Sequence, residues 1–355
     1  MRLLLIPIVL GFMLLLFAAI GISGSLDSIG TGGRGGGAAG GVWVSTDDGR
    51  TFELRGNVEG DDDIALNREI RSLIPGSGTQ TLFAVSPRLG LFRTDNRGND
   101  WEHILFGDIE TTAVAVNPSD DSEVYAGAVS DRKARIFKKN QSLSEWTEIY
   151  VDAVSGTEFV GLHVDPNDTG RVFGLLSNGT LIRSFNGGRD WVLASRVPVA
   201  ATGLYVDPRN ADNIYVTSIE SVYQSTNGGF SFEPMNLRVR GNTFTGTQVT
   251  SFTMNPNNSA EIYIGSLGEM SRTTDRGLNW ESINILTPET NVPVQRIALN
   301  PRNTNRIYYV AGSVLYASQN RGESWTTREL PPGISTVSEI LVDAQNNDIL
   351  YISAR

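Results

Sequence analysis

One eight-residue pattern constrains this chain more than any other feature. A small hydroxyl residue is followed by Asp or Asn two positions on, Gly four on and an aromatic residue seven on. It occurs as "STDDGRTF" (45–52), "TDNRGNDW" (94–101), "SFNGGRDW" (184–191), "STNGGFSF" (225–232), "TTDRGLNW" (273–280) and "SQNRGESW" (318–325). A decayed copy, "KNQSLSEW" (139–146), keeps Trp146 but has Lys139, Gln141 and Leu143 at the other key positions. The intact copies place Asp47, Gly49 and Phe52; Asn96, Gly98 and Trp101; Asn186, Gly188 and Trp191; Asn227, Gly229 and Phe232; Asp275, Gly277 and Trp280; and Asn320, Gly322 and Trp325 in equivalent positions. Successive aromatics lie 41 to 49 residues apart. Repeats of that length build solenoids, propellers or arrays.

A second pattern runs in phase with the first. Short β-rich runs end in Asn/Asp-Pro: "VAVNP" (114–118), "LHVDP" (162–166), "LYVDP" (204–208), "FTMNP" (252–256) and "IALNP" (297–301), with "RSLIP" (71–75) and "ILVDA" (340–344) as cruder versions. A second run follows each, such as "NIYVTS" (213–218), then a third that enters the box and a fourth that carries its aromatic. Runs of this length, rich in β-branched residues and separated by Asn, Asp, Pro and Gly, are strand signals. Four strands per repeat and seven repeats predict an all-β fold, a seven-bladed β-propeller. The first unit (41–56) holds only a third and a fourth strand, and the last (338–355) only a first and a second. Joined, they complete one blade and protect its edges.

The start of the chain is different. Residues 3–22 carry no charge and follow Arg2. That length suits a membrane-spanning helix better than a shorter secretory h-region, and the single flanking cation fits an N-in orientation. The expectation is an uncleaved signal-anchor, with a cleaved signal peptide as the alternative, and an extracytoplasmic propeller either way. Residues 23–41 form a glycine-rich linker whose 19 residues span roughly 24 Å as a flexible chain. The propeller is expected over 42–355.

In a four-stranded antiparallel blade, the loops joining strands two and three share a face with those joining successive blades. Both ends of the propeller fall on that face, and so do its most charged loops. Asp61, Asp62 and Asp63 make one acidic; Arg132, Lys133 and Arg135, and Arg238 and Arg240, make two basic. These residues form the candidate binding face, because rigid scaffolds carry function on such loops. The alternative for each loop is ordinary solvated surface.

Composition removes several chemistries. Cysteine is absent, which excludes disulfides, thiolate metal sites, a cysteine nucleophile and lipoprotein acylation. The net charge of −10 argues against a nucleic-acid surface. His103 and His163 stand without neighbouring ligands and read as strand histidines. The three adjacent aspartates could hold a hard cation, but such runs are more often solvated loops, so neither metal nor cofactor is expected. "GSGTQT" (76–81) precedes a strand and not a helix, which argues against a phosphate loop. In the box itself, Ser184 and Asn186 can accept backbone N–H bonds, Gly188 can take a positive φ, and Trp191 can bury its ring. The box therefore reads as a blade turn.

The eight-residue pattern resembles the Asp-box, or bacterial neuraminidase repeat, of sialidases, sortilin-type receptors, some endoglucanases and photosystem II assembly-factor propellers. Seven repeats with Asn/Asp-Pro after the first strand are most similar to the photosystem II stability and assembly factor group. A sialidase would have six blades and a Phe-Arg-Ile-Pro signature; "RSLIP" has Leu73 where that arginine belongs. Asp-box endoglucanases pair two seven-bladed domains, and this chain has room for one. The resemblance implies a non-enzymatic scaffold that binds a protein partner at or near the membrane and acts as a monomer. A glycan-binding or glycan-cleaving propeller is the alternative.

Overall fold

The computed structural model describes residues 40–59, 66, 69–105, 109–140, 145–237, 248–286 and 291–355. The chain enters through β1 (Gly41–Ser45) and β2 (Glu53–Leu54). Blade one is β3 (Ser72–Pro75), β4 (Leu82–Ser86), β5 (Gly90–Thr94) and β6 (Glu102–Leu105). Blade two is β7 (Glu110–Asn117), β8 (Asp120–Ser130), β9 (Lys133–Lys139) and β10 (Thr147–Ser155). Blade three is β11 (Phe159–Val164), β12 (Val172–Leu176), β13 (Thr180–Ser184) and β14 (Val192–Arg196). Blade four is β15 (Ala201–Val206), β16 (Ile214–Ser218), β17 (Val222–Ser225) and β18 (Glu233–Pro234). Blade five is β19 (Ser251–Asn255), β20 (Asn258–Gly265), β21 (Met270–Thr273) and β22 (Glu281–Ile283). Blade six is β23 (Val294–Leu299), β24 (Ile307–Ala311), β25 (Val314–Ser318) and β26 (Thr326–Glu329). The chain ends in β27 (Val337–Val342) and β28 (Leu350–Ala354).

The described residues thus form seven four-stranded sheets, the predicted seven-bladed propeller. The seventh blade is shared between the ends of the chain, in the order β2-β1-β28-β27. Its junction runs in continuous register from Gly41↔Ala354 to Ser45↔Leu350. The closure expected from the incomplete first and last units is the one observed.

Burial explains the hydrophobic runs. The second strands β4, β12, β16, β24 and β28 are buried at every position. A strand covered on both faces needs a continuous apolar run and not an alternation. The hydrophobic core lies between blades: Val42, Val44 and Tyr351 of the closing blade pack with Leu73, Ala84 and Phe92 of blade one. The Asn/Asp after each inner strand stops it by an Asx turn. Asp207 accepts the N–H of Arg209 at 2.9 Å, and Asp343 that of Gln345 at 2.8 Å. "RSLIP" lacks this acid, and Asp121 of blade two replaces it by accepting the N–H groups of Ser77 and of Gly78, the latter at 2.9 Å.

Five inner strands carry a β-bulge near their first residues, at Thr111/Ala113, Phe159/Gly161, Ala201/Gly203, Val294/Arg296 and Val337/Glu339. A bulge re-aims the side chains beside it. Among the described residues no helix is long and apolar enough to cross a membrane. The expected anchor at 3–22 lies outside them.

Candidate functional site at the channel mouth

The boxes are turns whose polar atoms serve the chain. Ser184 Oγ donates to Asn186 Oδ1 at 3.0 Å and accepts the N–H of Gly188 at 2.8 Å. Asn186 Oδ1 also accepts the N–H of Asp190 at 2.9 Å. The same three bonds recur from Thr94, Asn96 and Gly98, from Ser225, Asn227 and Gly229, from Thr273, Asp275 and Gly277, and from Ser318, Asn320 and Gly322. In the first box Ser45, Asp47 and Gly49 do the same, and Asp47 takes the N–H groups of Arg50 and Thr51. The Asp47 carboxyl is held down to about 2: its slight burial opposes the shift, and hydrogen bonds from Thr51, Ser45 and Arg50 outweigh it.

Two features of the box were not legible in its spacing. In three copies the tryptophan is a staple between blades: Trp101 Nε1 donates to the Arg55 carbonyl at 3.1 Å, Trp146 to Ile104 at 2.6 Å and Trp325 to Asn284 at 2.9 Å. The buried Nε1 of Trp191 and of Trp280, by contrast, has no partner among the described residues. This explains why the decayed copy keeps Trp146. The fourth residue is also left-handed, with φ of 65° at Asp48, 61° at Arg97 and 59° at Arg321. In these three boxes its side chain crosses to the preceding blade. Arg97 Nε donates to Asp343 at 2.9 Å, Arg321 pairs with Glu261, and Asp48 accepts from Arg306, Arg328 and the Tyr308 hydroxyl at 2.5–2.6 Å. Burial works to raise the Asp343 pKa, but hydrogen bonds from Gln345, Arg97, Asn346 and Tyr351 hold it below the ordinary value.

Of the charged loops, Arg132 and Lys133 sit at the tip of the β8–β9 hairpin, where Asp131 and Arg132 are both left-handed, at 51° and 62°. Arg135 is engaged within the blade, with Glu148 of β10, with Asp131 at 3.1 Å and with the Ser130 carbonyl at 3.3 Å. Asp61, Asp62, Asp63, Arg238 and Arg240 lie outside the described residues. Among the described residues no cluster of His, Asp or Glu is arranged to hold a metal.

The structure brings together other charged groups, at the mouth of the central channel on the same face. The inner strands of all seven blades enclose a channel of about 650 Å³. Above it lies a cavity of about 670 Å³ bounded by Glu69, Arg71, Pro87, Arg88, Ile109, Glu110, Glu158 and Arg355. Arg71 of blade one reaches past blade two to Glu158 beside β11, with bidentate contacts of 2.9 and 3.2 Å. Arg355 leans toward Glu69 at 3.9 Å and donates to Ser338 Oγ at 2.9 Å. Lower down, Arg296, Glu339 and Tyr205 line the channel itself. A usable signal existed for two of these. Counting four residues back from the Asn/Asp that ends each inner strand gives Ala113, Gly161, Gly203 and Ser251, then Arg296 and Glu339. The column is small until it becomes charged.

A seven-bladed propeller with a polar mouth above a lined channel is the class of protein this geometry defines. Neither protein-family models nor curated proteins match the sequence. Solved structures do match its fold. The chain is similar to a GH74 enzyme of Niastella koreensis at 18% identity and a TM-score of 0.64, covering 88% of this chain and 52% of that one. The GH74 xyloglucanase from Xanthomonas campestris gives 16% and 0.65 over the same shares. YCF48 bound to a D1 peptide gives 15% and 0.62, covering 81% of this chain and 92% of that one. The chain therefore spans about half the length of the GH74 enzymes and nearly all of YCF48. At these identities the likeness is one of fold.

Proposed function

We propose that this chain is an exported propeller, tethered to the membrane through residues 3–22, that binds protein partners at its channel-mouth face and performs no chemistry itself. The observation that carries the reading is the position of the charged cavity. Glu69, Arg71, Arg88, Glu110, Glu158 and Arg355 gather on the face that also receives both ends of the propeller. Mixed charge of this kind favours orientation and selectivity in a protein contact. The match to YCF48, a structure bound to a D1 peptide, extends over 92% of that chain and supports a peptide or protein as the ligand. The hydroxyl and the Asp or Asn of each intact box on the opposite face are engaged in its turn.

Capture on the immobilised full-length protein from detergent-solubilised membranes tests this. A variant with Arg88→Glu and Glu110→Lys is expected to lose a partner that the opposite-face variant Leu278→Ser retains. The likeness to GH74 enzymes supports the alternative of a glycan ligand. Turnover of xyloglucan or a fluorogenic glycoside, abolished by a single change such as Glu110→Gln, would put that reading in its place.

A further inference from the structure

The channel below the mouth holds a constellation that protein docking at the rim does not use. Part of its wall is apolar: Leu341, Val342, Met254 and Phe252 line it. Into this wall Arg296 and Glu339 project from adjacent inner strands, β23 and β27, just after their bulges. The matching positions on the other blades are small, and at two of them neighbouring side chains fill the space a larger residue would need. At Gly161 even a methyl group would meet Leu204 Cβ at 2.6 Å. At Gly203 it would meet the Tyr205 ring at 2.9 Å and its hydroxyl at 3.2 Å. The missing side chain at Gly203 is therefore what lets Tyr205 turn its hydroxyl into the charged layer. The Tyr205 and Phe252 rings stand 4.6 Å apart and form an aromatic wall beside it.

Arg296 is fixed without being neutralised. Its Nε donates to the Ser338 carbonyl, and its Nη1 to those of Gln295 at 2.7 Å and Thr250 at 3.5 Å. All three acceptors are neutral, and among the described residues neither Arg296 nor Glu339 is in an ion pair. Burial raises the Glu339 pKa above its ordinary value, against the opposing influence of the Arg296 cation and the Ile340 N–H. A carboxylate partly shielded from water attracts a nearby cation more strongly than one in bulk water does. A planar guanidinium with donors to spare suits a carboxylate.

We propose that the channel is a binding site for a small zwitterion, an α-amino acid with an apolar side chain. Its carboxylate lies on Arg296, its ammonium on Glu339, and its side chain against Tyr205 and Phe252. This site is independent of the rim contact and stands or falls without it.

Calorimetric titration of the full-length protein with leucine and with phenylalanine tests the site. Both are expected to bind. N-acetylphenylalanine, which lacks the cation, and phenylalaninamide, which lacks the carboxylate, are expected to bind at least about tenfold more weakly. Glu339→Gln is expected to weaken phenylalanine by a similar factor while leaving N-acetylphenylalanine unchanged. The analogues ask the same question with no substitution, so the test survives a variant that fails to fold. Absence of heat with either amino acid up to millimolar concentration would overturn the proposal. So would equal affinity for phenylalanine and its acetylated form.

Discussion

Gly49 sits at a φ of 80°, and a methyl group there would meet Leu315 Cδ2 at 2.7 Å and Leu350 Cδ1 at 2.9 Å. Backbone strain and crowding of the inter-blade core act together, so Gly49→Ala should cost about 2–4 kcal/mol by chemical denaturation. Gly156 has a similar φ of 82° with nothing within 4 Å. Gly156→Ala should cost only about 1 kcal/mol, the backbone share alone. Asp48 is buried with Arg306 and Arg328 on its two oxygens. Asp48→Asn leaves Arg328 without its counter-charge and Arg306 with only the exposed Asp348, and should destabilise the protein by about 3 kcal/mol in the same measurement. His163 gives a pH dependence. Burial lowers its pKa to about 4, against the opposing influence of Asp165, and its Nε2 is buried without a partner. Below about pH 6.5 the unfolded chain takes up a proton that the folded protein refuses until about pH 4. Stability is full above that window and falls through it by on the order of 3 kcal/mol; His163→Leu should flatten this part of the stability–pH curve. The hydroxyl, acid and glycine of each box could be read from sequence because a turn is closed by residues two to four positions apart. The fourth residue could not, since Asp48 meets Tyr308 from the far end of the chain and nothing local marks the pairing.

At the scale of the strand, the ring is closed by β1 against β28, through five consecutive residue pairs, with β2 outside β1. Removing residues 41–54 would leave β28 as an open edge carrying "LYISA", buried throughout in the intact protein. An exposed apolar edge of that kind recruits other chains. The truncated protein should lose its single cooperative unfolding transition and elute as aggregate in size-exclusion chromatography. A monomer with unchanged unfolding would show that the closing strands add nothing. The strand pattern was the most legible part of the sequence, because every repeat restates it and the half-units at the two ends fit together. The channel residues were marked only as exceptions to the same regularity, the charged members of an otherwise small column. Arg296 and Glu339 stand in runs that otherwise read only as strand, and the bulge beside each is invisible until pairing partners are known. Arg71 and Glu158 come from blades one and three, so only ring closure makes them neighbours across the mouth.

Taken as a molecule, the propeller has two unlike faces. One carries the boxes and the crossed ion pairs that hold blade to blade. The other carries the channel mouth, the charged cavity and both ends of the propeller. In the proposed reading the second face is the one that meets the partner. Partner contact should therefore be confined to it, and contact can be mapped in living cells. A photo-crosslinking amino acid placed at Arg88, on the rim of the mouth, is compared with one at Leu278, 83% exposed in a box on the opposite face. The predicted result is a discrete protein adduct from position 88 and none from position 278. Adducts from position 278 alone, or equal adducts from both, would contradict the assignment of the channel-mouth face as the working surface.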